Sequence, residues 1–150
     1  MQPTTPSKCR VLVVDDDPDL LATIKQGLQL LGGYEVAVAD QGIAGLEVFF
    51  SMPIDCMVVD LRMPGLNGYQ LIRALRGDSR TAQTPIVVLS ALAQEEVEVI
   101  GLLSGADAYL YKPVDLQTLI DTIERALSLT AEQRLERDQA LADGIFPSNN

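Results

Sequence analysis

The chain has 150 residues, enough for one domain with a proper core and too few for two ordinary ones. It is 47% hydrophobic and 21% charged, a globular composition, and its formal net charge of -10 with a pI of about 4.3 argues against a nucleic-acid binder, which needs a basic face to displace counterions. Histidine is absent, which excludes Ser-His-Asp and Cys-His catalysis and histidine metal sites, and makes any phosphohistidine donor another protein.

Residues 1–8 are polar with two prolines and are expected to be disordered, ahead of a domain over 9–129. "RVLVVDD" (10–16) is a β-branched run and reads as a buried strand. Leu20, Leu21, Ile24, Leu28 and Leu31 then recur at helical spacing, with Pro18 suited to the first turn and Asp17 to the N-cap. Asp17 is therefore structural, and its neighbours Asp15 and Asp16 need another reason. Gly32-Gly33 stops the helix, "YEVAVA" (34–39) reads as strand two, and a helix of modest quality follows through Leu46 to Phe50. "IDCMVVD" (54–60) is strand three, with Cys56 a small core residue. Cys9 and Cys56 match no zinc or redox spacing.

"LRMPGLNGYQ" is a loop by its proline and glycine content, and helix three is expected over 68–76. "TPIVVLS" (84–90) and "DAYLY" (107–111) are strands four and five. Between them "AQEEVEVIGLLSG" reads as a helix that Gly101 weakens by roughly 1 kcal/mol relative to alanine. Leu116, Leu119, Ile120, Ile123 and Leu127 mark helix five, which can run on into 130–143. Residues 130–150 read as a helical extension with few apolar residues, ending in a loose tail. No charged-then-apolar signal segment opens the chain and no apolar run approaches membrane-spanning length, so a cytoplasmic location is expected.

Apolar strands alternating with helices predict an α/β fold, a doubly wound five-stranded parallel sheet covered on both faces. In such sheets ligands bind beyond the carboxyl ends of the strands. Strand one ends in Asp15 and Asp16, strand three in Asp60 and strand four in Ser90, and Lys112 follows strand five. Three neighbouring carboxylates raise one another's pKa unless a hard cation such as Mg²⁺ joins them. Lys112 and Ser90 suit phosphoryl oxygens, and an aspartate in this setting can act as a nucleophile that forms an aspartyl phosphate. In-line transfer then needs mainly positioning and charge neutralisation.

"VLVVDDDP", "VVDLRMPGLNG", "PIVVLSA" and "GADAYLYKP" occur in the order and at the spacing of a known family. From about Arg10 to Leu129 the chain resembles the receiver domain of two-component response regulators, with its chemotaxis-regulator-like fold. The resemblance implies a flavodoxin-like (β/α)5 sheet of strand order 2-1-3-4-5. It implies Asp60 as phosphoacceptor, Asp15 and Asp16 as the acidic pair holding Mg²⁺ (Mn²⁺ can substitute), and the Arg62 backbone carbonyl as a further ligand. By the same resemblance Ser90 is the switch hydroxyl, Lys112 the phosphate-binding lysine, Tyr109 the aromatic switch residue and Pro113 the partner in a cis peptide. The phosphoryl donor it implies is a histidine kinase or phosphotransfer protein. The chain would then be a signalling switch that catalyses only its own phosphorylation and dephosphorylation.

Phosphorylation is expected to draw in Ser90 and Tyr109 and to remodel the face built from the fourth helix (Glu95, Glu96, Val97, Ile100), strand five and helix five. That face is the expected partner or homodimer surface, with no direct nucleic-acid or membrane contact. Three rivals differ in class. An aspartyl-nucleophile phosphohydrolase usually carries an acid where Arg62 stands. Neither G-x-x-x-x-G-K-[ST] nor G-x-G-x-x-G occurs to support a nucleotide-binding domain. The intact acidic set argues against an inert receiver-like scaffold.

Overall fold

A computed structural model describes residues 8–91 and 105–145, with side chains through 140. The elements in chain order are β1 (Arg10–Val14), α1 (Pro18–Gly32), β2 (Glu35–Ala39), α2 (Gly42–Ser51), β3 (Cys56–Val59), α3 (Gly68–Arg76), β4 (Ile86–Ser90), β5 (Ala108–Tyr111), α4 (Leu116–Ser128) and α5 (Ala131–Ile145). Residues 93–104 of the helix expected over 93–105, with Glu95, Glu96, Val97, Ile100 and Gly101, lie outside the described residues, and Gly105 is a turn residue at φ 85°. Most of the N-terminal segment expected to be disordered also lies outside them.

The strands form one parallel sheet of order β2-β1-β3-β4-β5, the expected doubly wound topology. Successive side chains of a strand face opposite sides, and here both sides are apolar. Val11 and Val13 point into a core with Leu21, Ile24 and Leu28 of α1 and Leu119, Ile120 and Ile123 of α4. Leu12 and Val14 point the other way, with Met57, Val59 and the α3 residues Leu71, Ile72 and Leu75. Each fully buried leucine or isoleucine stabilises the fold by roughly 1.5–3 kcal/mol relative to exposure. Cys56 lies in the first of these cores, and burial pushes its thiol well above the usual range. Cys9 is pushed up to about 11, first by burial and then by Asp55.

Helix ends follow local chemistry. The Asp17 carboxylate accepts from the backbone N–H of Asp19 (3.0 Å) and Leu20 (3.2 Å), Pro18 opens α1, and Gly33 closes it at φ 68°. Asn67 and Gln70 close a reciprocal capping box at the start of α3. Helix five of the sequence reading does not run on. It ends at Ser128, Leu129 is extended (ψ 130°), and Thr130 starts a new helix by exchanging hydrogen bonds with Gln133.

The strands are shorter than the apolar runs suggest. β1 stops at Val14 and β3 at Val59, so Asp15 and Asp60 stand just beyond strands that are themselves paired Val14 to Val59. α3 begins against this end. A Cβ on Gly68 would collide with the carbonyl of Asp60 and press on Leu61 Cα, so a side chain cannot enter without moving the loop after β3. Gly68→Ala is expected to lower stability by about 1–3 kcal/mol, measured by denaturant titration. A change within about 0.5 kcal/mol would mean that the loop yields freely.

Candidate functional site

The carboxyl ends of β1, β3, β4 and β5 bring the expected residues to one edge. Backbone bonds continue the sheet past its strands: Asp15 N–H donates to Ala39 O (3.1 Å), Asp60 N–H to Val14 O (2.9 Å) and Lys112 N–H to Ser90 O (2.9 Å). Asp15 and Asp60 are buried, Ser90 is fully buried, and Asp16 is exposed. Carboxylate oxygens of Asp15, Asp16 and Asp60 all lie within 4.8 Å of one another.

Lys112 supplies the charge that lets two of these acids stay buried. Its Nζ lies 2.7 Å from Asp15 Oδ2 and 3.2 Å from Asp60 Oδ2. The other oxygens accept backbone donors, Asp15 Oδ1 from Asp17 N–H (2.9 Å) and Asp60 Oδ1 from Arg62 N–H (3.2 Å). The Lys112–Pro113 peptide is cis. Tyr109 is half-buried and packs beside the α3-side core.

Burial raises the Asp60 carboxyl above the ordinary aspartate value. The Arg62 N–H and the Lys112 ammonium oppose that shift, and the charge of Asp15 adds to it. Burial alone would lower Lys112, but its hydrogen bond to Asp15, the charges of Asp60 and Asp15 and its bond to Asp60 outweigh burial and hold the ammonium above the ordinary lysine value. The edge therefore pairs a permanent cation with a carboxylate that is only partly compensated. That suits an acid acting as an oxygen nucleophile beside a group able to hold a second anion.

The chain matches the family model of the response regulator receiver domain over residues 11–124. It belongs to that family. Protein PilH of Pseudomonas aeruginosa is 36% identical over 79% of this chain and 98% of its own length. The DNA-binding dual master transcriptional regulator RpaA of a Synechocystis species is 35% identical over 81% of this chain, which spans 50% of that regulator. Among solved structures, a sensor protein from a Polaromonas species superimposes with a TM-score of 0.75 at 35% identity, covering 81% of this chain and 97% of that one. The Vibrio cholerae chemotaxis protein CheY4 superimposes with a TM-score of 0.74 at 31% identity, covering 80% and 99%. This receiver domain is thus a signalling module, and no helix among its described residues is long and apolar enough to cross a membrane.

Receiver domains bind Mg²⁺ at an acidic pocket, and the donor set here fits such an ion: three hard carboxylates within reach of one another on an edge that already accommodates a cationic ammonium. The capping box that starts α3 and the close approach of Gly68 to Asp60 support this edge, and neither was singled out in the sequence. N-x-x-Q before an amphipathic run was the available signal for the first.

The raised Asp60 pKa has a stability consequence. Its contribution is fully present below the ordinary aspartate value and is lost as pH rises through the folded value. In metal-free buffer Asp60→Asn is therefore expected to unfold at a higher temperature than the unsubstituted domain at pH 7. The difference should close by about pH 3, where both states are protonated. Thermal unfolding across that range checks the sign, and a difference independent of pH would contradict it.

Proposed function

We propose that this receiver domain takes a phosphoryl group onto Asp60 from a phosphohistidine of a partner kinase or phosphotransfer protein. The single observation that carries the reading is the convergence of Asp60 with Asp15 and Lys112, two buried carboxylates bridged by one ammonium at the strand ends. An Asp60 oxygen attacks phosphorus, the O–P bond forms as the P–N bond breaks, and the departing imidazole takes its proton from solvent. Lys112 holds a phosphoryl oxygen in place of its contact with Asp60, and the Ser90 hydroxyl donates to another. Asp15 or Asp16, Asp60 and the Arg62 carbonyl would hold Mg²⁺, which supplies charge neutralisation for the carboxylates and the incoming phosphoryl oxygens.

The chain changes only its own phosphorylation state in this reading, and its output is a population shift between two packings. Ser90 draws toward the phosphoryl group and Tyr109 turns inward behind it. The responding face includes β5 and α4, where Tyr109, Leu110, Thr122, Arg125, Ala126 and Leu129 line a groove of about 310 Å³. It is the proposed site of a partner or a second copy. The receiver unit is assigned to 9–129 and the remainder, 130–150, to an extension. The chain spans about half the length of several regulators it matches, so the wider output is a matter for the protein in which the module works.

Incubation with a small phosphodonor and Mg²⁺, followed by intact mass, is expected to show one phosphoryl adduct on Asp60 and none in Asp60→Asn. Normal stoichiometry in that variant would place the acceptor elsewhere, and multiple turnover on many phosphate esters would favour a hydrolase. Titration of Mg²⁺ should show binding weakened at least about tenfold in Asp16→Asn. Unchanged affinity would remove Asp16 from the ligand set.

A further inference from the structure

A second ionic cluster lies at the opposite end of the sheet. Asp107, just before β5, has a side chain with no exposed surface. Its Oδ2 accepts from Ile86 N–H (2.7 Å) at the start of β4 and from Arg76 Nη2 (3.2 Å) of α3. Its Oδ1 accepts from Arg134 Nε (2.9 Å) and Arg137 Nη1 (3.0 Å) of α5. Arg76 is further committed to the carbonyls of Gly105, Ala82 and Thr84, and Arg134 to those of Leu129 and Ala126. One buried carboxylate therefore joins the feet of β4 and β5 to two other elements.

α5 is held in an unusual way. Arg134 is buried at 6% exposure while Leu135, the next residue, is 70% exposed. Arg137 is only partly exposed and also pairs with Asp138. Through residue 140 the docked side of this helix is ionic and an apolar side chain faces solvent. Charge-assisted hydrogen bonds weaken as their distance and angle depart from good geometry, so the hold on α5 depends on where Asp107 sits relative to its arginines.

β4 and β5 each have one end in this clasp and the other at the acidic edge. β4 runs from Ile86 to Ser90, and β5 from the residue after Asp107 to the residue before Lys112, a span of roughly 13–17 Å. β4 is fully buried between two neighbours. Among the described residues β5 pairs only with β4, and all of its side chains are half-buried, so fewer contacts oppose a shift of β5 than of β4.

We propose that the Asp107–Arg134–Arg137 clasp couples the docking of α5 to the state of the acidic edge, so that loading of Asp60 loosens α5. The inference rests on Asp60 as the acceptor. In the unloaded domain Lys112 is tied to both Asp15 and Asp60. A phosphoryl oxygen draws Lys112 to itself, β5 follows the lysine that succeeds it, and Asp107 moves relative to the arginines of α5. By linkage, freeing α5 must favour loading by the same factor.

The test uses the full chain with Mg²⁺ and beryllofluoride as the probe, with binding measured by calorimetry and amide exchange followed over 131–140. Loading is expected to speed exchange in α5 about fivefold or more, and Asp60→Asn should abolish that response. Arg134→Gln/Arg137→Gln should exchange fast in α5 without the probe and should bind beryllofluoride more tightly by a similar factor. If the double variant does not fold, Arg137→Gln alone, at the more exposed arginine, should show the same changes in smaller degree. Leu135→Ala, on the outer side of α5, should leave affinity for the probe unchanged. Binding of the probe with no change in α5 exchange, or with slower exchange, overturns the coupling while the Asp60 reading stands. Absence of probe binding overturns both.

Discussion

Everything at the acidic edge depends on one ammonium shared by two buried carboxylates. Two aspartates drawn out of water beside each other repel, and each would be driven toward protonation. Lys112 pairs with both carboxylates and opposes the rise at Asp60, while the backbone N–H groups of Asp17 and Arg62 satisfy the remaining oxygens. Asp60 keeps a raised pKa because burial outweighs its donors. Carboxylates outnumber the cation at this edge, a donor set that fits a divalent ion.

The parallel sheet makes this possible at low cost in backbone order. Adjacent parallel strands end side by side, so β1 and β3 deliver Asp15 and Asp60 to neighbouring positions without a loop having to hold them there. The residues that follow are constrained in turn. Asp17 caps α1, which aims the Asp15–Asp17 turn, and Gly68 lets α3 start directly against the Asp60 carbonyl. Capped helix starts therefore lie close to both strand-end aspartates.

The two ionic clusters at opposite ends of β4 and β5 are built on opposite charge balances. At the acidic edge carboxylates outnumber the cation. At Asp107 three guanidinium groups meet one fully buried carboxylate, with backbone carbonyls sharing the excess. The first arrangement is open to an added cation, and the second has its donors committed within the protein. Strand β5 is flanked by a member of each cluster, Asp107 before it and Lys112 after it.

Much of the fold was legible in sequence because its signals are local. Buried parallel strands are apolar on both faces and so appear as continuous runs such as "VLVV" and "IVVLS". The α1 cap declares itself in Asp17-Pro18, and the order of motifs placed Asp15, Asp16, Asp60, Ser90 and Lys112 on one edge. The sequence by itself could not show where the strands stop, because the last aspartate of each run looks continuous with it while its carboxylate turns toward Lys112. Nor could it show that α5 is separate from α4, which turns on a single extended residue, Leu129. Asp107 read only as the first residue of strand five. Its three arginines come from positions 76, 134 and 137, and only the folded chain brings charges so distant in sequence onto one carboxylate.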